Sequence, residues 1–329
     1  MDAIVAHIWA SFANQLGGTF LLPGSTFSFA ALAVTLVLAV LLAVPRGRAR
    51  PVRLRVLRRA LFPRRMLRSA SGRADLFYFF GGIVFAGLVI GWALWSGGQI
   101  RDAILARVPH PGLIAVPAWL GATIATAALF LAYEFAYWFD HWLMHRVPAL
   151  WHFHKVHHQA ESLSLLTNGR VHPIETIGFY NIVALVTGVT GVALVLLFGP
   201  AITPLALGGT NLLIFVAAVG LTHLQHSHFW IHFGPRWGRV LLGPAHHQIH
   251  HSADPAHFNR NLGSSLALFD RLFGTFHMPA PRREALRFGV DDGARNPHGV
   301  YSALAAPFVD SARALLPRSG APVRPAPQR

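Results

Sequence analysis

The chain has 329 residues, of which 53% are hydrophobic and only 12% charged, and it carries a formal net charge of +15. A soluble protein has about 25% charged residues, so the composition points to an all-α, polytopic helical membrane protein rather than two soluble domains. There is no cysteine, which excludes disulfides, thiolate metal sites, iron–sulfur clusters and a cysteine nucleophile.

In chain order, residues 1–22 mix apolar and polar side chains without an early positive run. This argues against a cleaved signal peptide and for an interfacial helix or short partial span. The first full span is expected over 27–44. Eleven arginines follow between Arg46 and Arg73, a density that belongs on the cytoplasmic face beside anionic lipid. The charge is thus a matter of orientation, and no nucleic-acid reader motif accompanies it.

A second span is expected over 76–95, then an external loop over 96–117. In that loop Val108-Pro-His-Pro-Gly112 resembles a haem-binding fragment but is explained by a Pro-Gly turn. The third span, 118–139, contains Glu134, an intramembrane acid and therefore a functional candidate. Segments 177–198 and 201–221, broken at Gly199-Pro200, are expected to form a hairpin that leaves and returns. The remainder, 229–329, is polar and ends in a Pro/Arg-rich run expected to be disordered. This divides the chain into 1–117 (spans and basic loop), 118–280 (catalytic domain) and 281–329 (tail).

Sixteen of the twenty histidines lie between His141 and His257. His141 and His145 are four apart and share a helical face. His154, His157 and His158 form an HxxHH, repeated by His247, His250 and His251. With the arginine loop inside, both blocks fall on the same cytoplasmic side, as a histidine-rich helical cap. Neutral imidazole suits iron, copper, zinc and nickel. A structural zinc site takes four ligands, so the surplus of histidines favours two metal ions. Asp140, Asp254 and Asp270 are candidates for supporting the ligands, because a metal-bound imidazole normally donates its other N–H; the alternative for Asp270 is to stabilise the turn before Phe273-Gly274. Glu161 and Glu175 join the aspartates as possible carboxylate partners. His152, His246 and His257 lie off the ligand register, and His7, His110, His277 and His298 read as ordinary surface or core residues.

The combination of HxxxH, HxxHH and HxxHH resembles the fatty acid hydroxylase and sterol desaturase superfamily over about residues 118–277. The flanking residues agree: Trp151, Arg170-Val171-His172-Pro173, Gln248-Ile249-His250-His251-Ser252, Asn261-Leu262-Gly263 and Phe269-Asp270-Arg271-Leu272-Phe273-Gly274-Thr275. Phe269 stands where the family has a tryptophan. The resemblance implies a membrane non-haem di-iron oxygenase that hydroxylates or desaturates a lipid. It implies two iron ions held by the boxed histidines and one from the preceding helix, where Gln225-His226-Ser227 fits best and His228, four residues before His232, is a close rival; His172 would support a ligand or line the substrate entry. It also implies a lipid from the bilayer, O2 and an external electron donor of ferredoxin or cytochrome b5 type. A bacterial inner membrane is the expected location. The competing classes are a zinc-dependent membrane hydrolase, against which the absence of HExxH and the ligand surplus count, and a metal transporter or bis-histidine haem carrier. Haem would need histidine pairs inside the spans, whereas these lie at the ends.

Overall fold

The computed structural model describes residues 2–43, 64–85, 91–293 and 296–316. Most of the basic loop (44–63) and the Pro/Arg-rich terminus (317–329) lie outside the described residues. The chain is mostly helical, and its only strands among the described residues form a two-residue hairpin, Ala206–Leu207 with Thr210–Asn211. The hairpin turns at Gly208 and Gly209, whose φ values of 53° and 85° need glycine.

Two helices, Ala118–Arg146 and Pro173–Phe198, are long and apolar enough to cross a bilayer, with hydropathy 1.4 and 2.3. Only 22% of the most apolar window of each is buried inside the protein. A core helix of a soluble protein would be mostly buried, so these apolar faces look outward, as on Leu185 and Val189. Phe29–Leu42 and Leu212–Gln225 are apolar but shorter. The expected 76–95 span begins earlier, as the helix Ala70–Phe85.

Two expected boundaries move. The 118–139 span continues as helix to Arg146, carrying Asp140, His141 and His145 on the same rod. The expected 201–221 helix instead starts at Leu212, because Pro204 and the Gly208-Gly209 turn occupy the intervening chain. The expected turn at Pro109-His110-Pro111-Gly112 is instead an irregular stretch, which follows the turn at 106–107. Gly112 (φ 83°) meets Gly199 (φ 87°) so closely that a Cβ on Gly112 would lie 2.7 Å from the Gly199 nitrogen. Leu113 and Ile114 both donate to the Leu197 carbonyl, at 2.8 Å, which closes the end of the 173–198 helix.

The C-terminal part is more than a tail. Helices Val300–Leu304 and Ala306–Leu315 continue the chain, and Tyr78, Val156 and Ala303 form a buried apolar cluster. The Tyr78 hydroxyl donates to the Ala303 carbonyl at 2.8 Å. Beside this cluster sits Arg170, fully buried. Its Nε donates to the Val156 carbonyl (2.7 Å) and its Nη1 to Asp75 (3.1 Å). Its Nη2 contacts His298 Nδ1 at 2.9 Å, so His298 is part of this network rather than an ordinary surface residue. Asp75 also accepts from the Thr167 hydroxyl at 2.6 Å.

Replacing Arg170 with methionine leaves Asp75 a buried, unpaired acid, and breaking such a pair costs about 3–5 kcal/mol. The expected outcome is a lowered Tm of the purified chain, partly restored when Asp75→Leu is added. An unchanged Tm in the single variant would contradict the pairing.

Candidate metal centre

The histidine segments converge because the chain breaks in the right places. Val147, with φ −93° and ψ 112°, ends the long helix, and Pro148 opens the next, Pro148–His158. Proline is suited to a first helical position because its fixed φ is already helical and no N–H is needed there. Pro244 does the same for Pro244–His250. A π-helical stretch, Ala218–Thr222, precedes His223–Gln225 and delivers His226 at its end.

The imidazoles form two adjoining groups. One contains His141, His145, His154, His158 and His250, the other His157, His226, His247 and His251, and within each the candidate ligand atoms lie within 4.8 Å of one another. The rule behind this division is simple. In each HxxHH the i and i+4 residues enter one group and the i+3 residue enters the other. His154 and His158 face each other through Nε2 at 3.1 Å, as do His247 and His251. His157 and His250 are the residues exchanged. The groups touch through His158 and His251, whose ring centroids are 4.5 Å apart.

Four of the outer ring nitrogens are anchored. His141 Nδ1 donates to the Leu262 carbonyl (2.8 Å), His157 Nδ1 to the Arg170 carbonyl (3.2 Å) and His250 Nδ1 to the Arg260 carbonyl (2.9 Å). His154 Nδ1 donates to the Glu175 carboxylate at 2.7 Å. A carbonyl can only accept, so the proton sits on Nδ1 and Nε2 is a bare lone pair. His141 and His154 nevertheless bring their Nε2 atoms to 3.1 Å, two lone pairs facing each other. Such a pair is stabilised by a cation bound to both. His250 Nε2 is buried and has no protein partner. Burial holds the rings neutral: His157 is pushed down to about 3, and His154, His158, His226, His247, His250 and His251 lie well below the usual histidine value. Neutral imidazoles with bare inward nitrogens fit transition-metal ligation.

The surrounding residues divide differently from the expectation. Asp270 accepts from the Leu262 and Gly263 amides, both at 2.8 Å, and from the Thr275 hydroxyl at 2.6 Å. It therefore supports His141 through the Leu262 backbone, not by touching the ring. Asn261, at φ 55°, donates to the His246 carbonyl (3.1 Å) and accepts from the His277 amide (2.8 Å). Glu134 accepts from the Ser265 hydroxyl and the Leu266 amide, so this acid straps the 261–266 loop to the long helix. Asp140 is buried near His141 and His154.

Three expectations are corrected. His172 Nδ1 caps the 173–198 helix by accepting from the Ile174 amide, and its Nε2 faces the Leu304 carbonyl; it holds no ligand ring. Asp254 is exposed and caps a short turn through the Ala256 amide. His228 belongs to neither group and packs against Phe229, ring centroids 4.2 Å apart; the helix ending at His226 spends its last turn before His228 is reached. Glu175 is the residue that spacing undervalued. Its place, three residues after a capping histidine, gave no hint that it would reach His154.

Two cavities reach the centre from different sides. One of about 520 Å³ touches His141, His154, His157 and His226 and is walled by Phe79, Phe179 and Ile214 from the helices and by Phe27 from the turn before Phe29. The other, about 470 Å³, touches His145, His158, His250 and His251 and is rimmed by Asn259, Arg287 and Asp291.

Residues 126–275 match the family described as fatty acid hydroxylase, a stretch that contains all nine grouped histidines. The chain is 32% identical over 175 residues to an ornithine lipid hydroxylase of Rhizobium tropici, covering 53% of this chain and 47% of that protein. It is 29% identical over 174 residues to an alkylglycerol monooxygenase of Xenopus tropicalis, covering 49% of this chain and 32% of the relative. The chain thus spans half or less of the length of these curated relatives. No solved structure matches it.

Replacing Asp270 with alanine releases the Leu262 and Gly263 amides and so loosens the loop whose Leu262 carbonyl holds His141, and loss of such an outer support typically costs about 10–100-fold in metal affinity. The expected result is a lower metal content of the purified full-length variant. In the same assay His226→Ala lowers bound metal and His228→Ala does not; equal losses would contradict the grouping.

Proposed function

Since residues 126–275 belong to the fatty acid hydroxylase family, we propose that the chain is a membrane-bound non-haem di-iron oxygenase that hydroxylates or desaturates a lipid. The observation that carries this reading is the pair of adjoining, buried, all-imidazole groups, four of whose rings line an apolar-walled cavity. His141, His145, His154, His158 and His250 would hold one iron, and His157, His226, His247 and His251 the other. Iron bound there supplies the oxidising chemistry: hydroxylation converts C–H, O2, two electrons and two protons to C–OH and water.

The residues of the chain do the rest. Phe79, Phe179 and Ile214 give the lipid chain an apolar wall and exclude water from the reacting carbon. The Nδ1 anchors at Leu262, Arg170, Arg260 and Glu175 fix the orientation of His141, His157, His250 and His154, so that part of the ligand geometry is held before substrate arrives. The second cavity, with Arg287 on its rim, gives protons and an external electron donor access from the aqueous side. An acidic ferredoxin or cytochrome b5-like protein suits the chain's positive charge. The apolar, outward-looking faces of the 118–146 and 173–198 helices support an integral membrane location. The basic loop supports the cytoplasmic side for the histidines.

A zinc hydrolase is disfavoured by the donor set. Hydrolytic zinc keeps three protein ligands and one open position, whereas these groups offer five and four imidazoles. Zinc also lacks the redox chemistry that the named relatives' hydroxylation and monooxygenation require.

Mass spectrometry of lipids from cells with and without the intact chain should show one lipid class gaining an oxygen or losing two hydrogens. The His158→Ala variant should abolish the change. Identical lipid profiles, or a change that survives loss of the histidines, would contradict the oxygenase reading.

A further inference from the structure

Two acids that no metal group uses stand at the inner end of the apolar-walled cavity. Glu175 lies in the first turn of the 173–198 helix and Asp140 on the 118–146 helix. Both line the cavity, and their relative exposures are only 7% and 4%. Glu175 uses Oε1 to hold His154, but its Oε2 has no hydrogen-bond partner, and neither has Asp140 Oδ1. The helices meet here over Gly178, one turn beyond Glu175, where a Cβ would lie 3.8 Å from Asp140 Oδ1. The two acids therefore face one gap.

A buried carboxyl oxygen left without a donor is costly. Nothing else on the 118–146 or 173–198 helices answers it, and the space in front of it opens to the lipid cavity. We propose that Asp140 and Glu175 form a headgroup site, and that the substrate is an amphiphile whose polar end donates hydrogen bonds, through hydroxyl or ammonium. A carboxylate-headed chain brings only acceptors, and is disfavoured wherever these oxygens accept, as Glu175 does from His154. Resting on the lipid-oxygenase reading above, the position also sets where the chain is attacked. One imidazole ring separates Glu175 from the Nε2 of His154, and His141 lines the same cavity. A headgroup anchored there leaves the first few carbons, not the distant methyl end, beside the metal groups. The oxidation balances as given above, with O2 as oxidant and an external redox protein or chemical reductant supplying the electrons.

The test is competition against tritiated hexadecanol bound to the purified full-length chain in lipid nanodiscs, with hexadecylamine, hexadecanoate and hexadecane as competitors and iron measured in the same samples. The alcohol and the amine should compete at least about tenfold better than the carboxylate and the alkane, the range expected for hydrogen bonds to charged groups. Asp140→Asn and Glu175→Gln, which replace an acceptor oxygen with a donor amide, should weaken the alcohol and the amine and improve hexadecanoate. The wild-type series decides the matter should either variant fail to fold. Hexadecanoate or hexadecane competing as well as hexadecanol would overturn the proposal, as would oxidation of bound hexadecanol at its methyl end. Chain that holds no iron yet keeps the headgroup preference would remove the oxygenase reading and support the headgroup site.

Discussion

The structure depends on bringing nine neutral imidazoles, eight of them buried and His145 half-buried, into two adjoining groups. Neutral imidazole is a ligand only through a nitrogen that carries no proton, so a ring is best oriented when its other nitrogen is tied down. Backbone carbonyls at Leu262, Arg170 and Arg260 and the Glu175 carboxylate do this for His141, His157, His250 and His154. Each anchor is itself held. Asp270 fixes Leu262, Arg170 is locked by Asp75 and Val156, and Glu175 opens a long helix. The loops that close the centre are therefore determined as firmly as the helices that carry the rings.

The HxxHH motif has a geometric consequence beyond clustering. At about 100° per residue, i+4 lies about 40° from i on one side and i+3 about 60° on the other, so i+3 is turned about 100° away from i+4. Two short helices that face each other can then each give a pair to one group and a single ring to the other. His157 and His250 are those single rings. The two groups are in this way cross-linked through the same two segments, whose imidazole rings meet at His157–His251 and His158–His250, with centroids 4.6 and 4.7 Å apart. The mostly apolar helices outside need only hold this assembly at their ends.

Much of this could be read from the sequence. The HxxxH and the two HxxHH segments announced a metal centre because helical periodicity alone puts their rings on shared faces. The choice of His226 was also visible from its neighbours. What periodicity could not supply was the division into groups, which needs the crossing of helices distant in sequence, or the anchors, which are mostly carbonyls and so leave no mark in side-chain identity. His172 and Asp254 misled because a capping residue and a supporting residue have the same chemistry; only the position of the helix start separates them. His228 misled because its four-residue spacing to His232 assumes a helix that ends two residues earlier. The 201–221 segment was apolar enough for a span, but Pro204 and the Gly208-Gly209 turn prevailed over hydropathy.

The central claim, that these nine histidines hold two iron ions, is most directly examined by anomalous X-ray diffraction at the iron edge on crystals of the iron-loaded full-length chain. The account predicts two anomalous peaks, one among His141, His145, His154, His158 and His250, the other among His157, His226, His247 and His251. A single peak, or iron bound away from both groups, would contradict it.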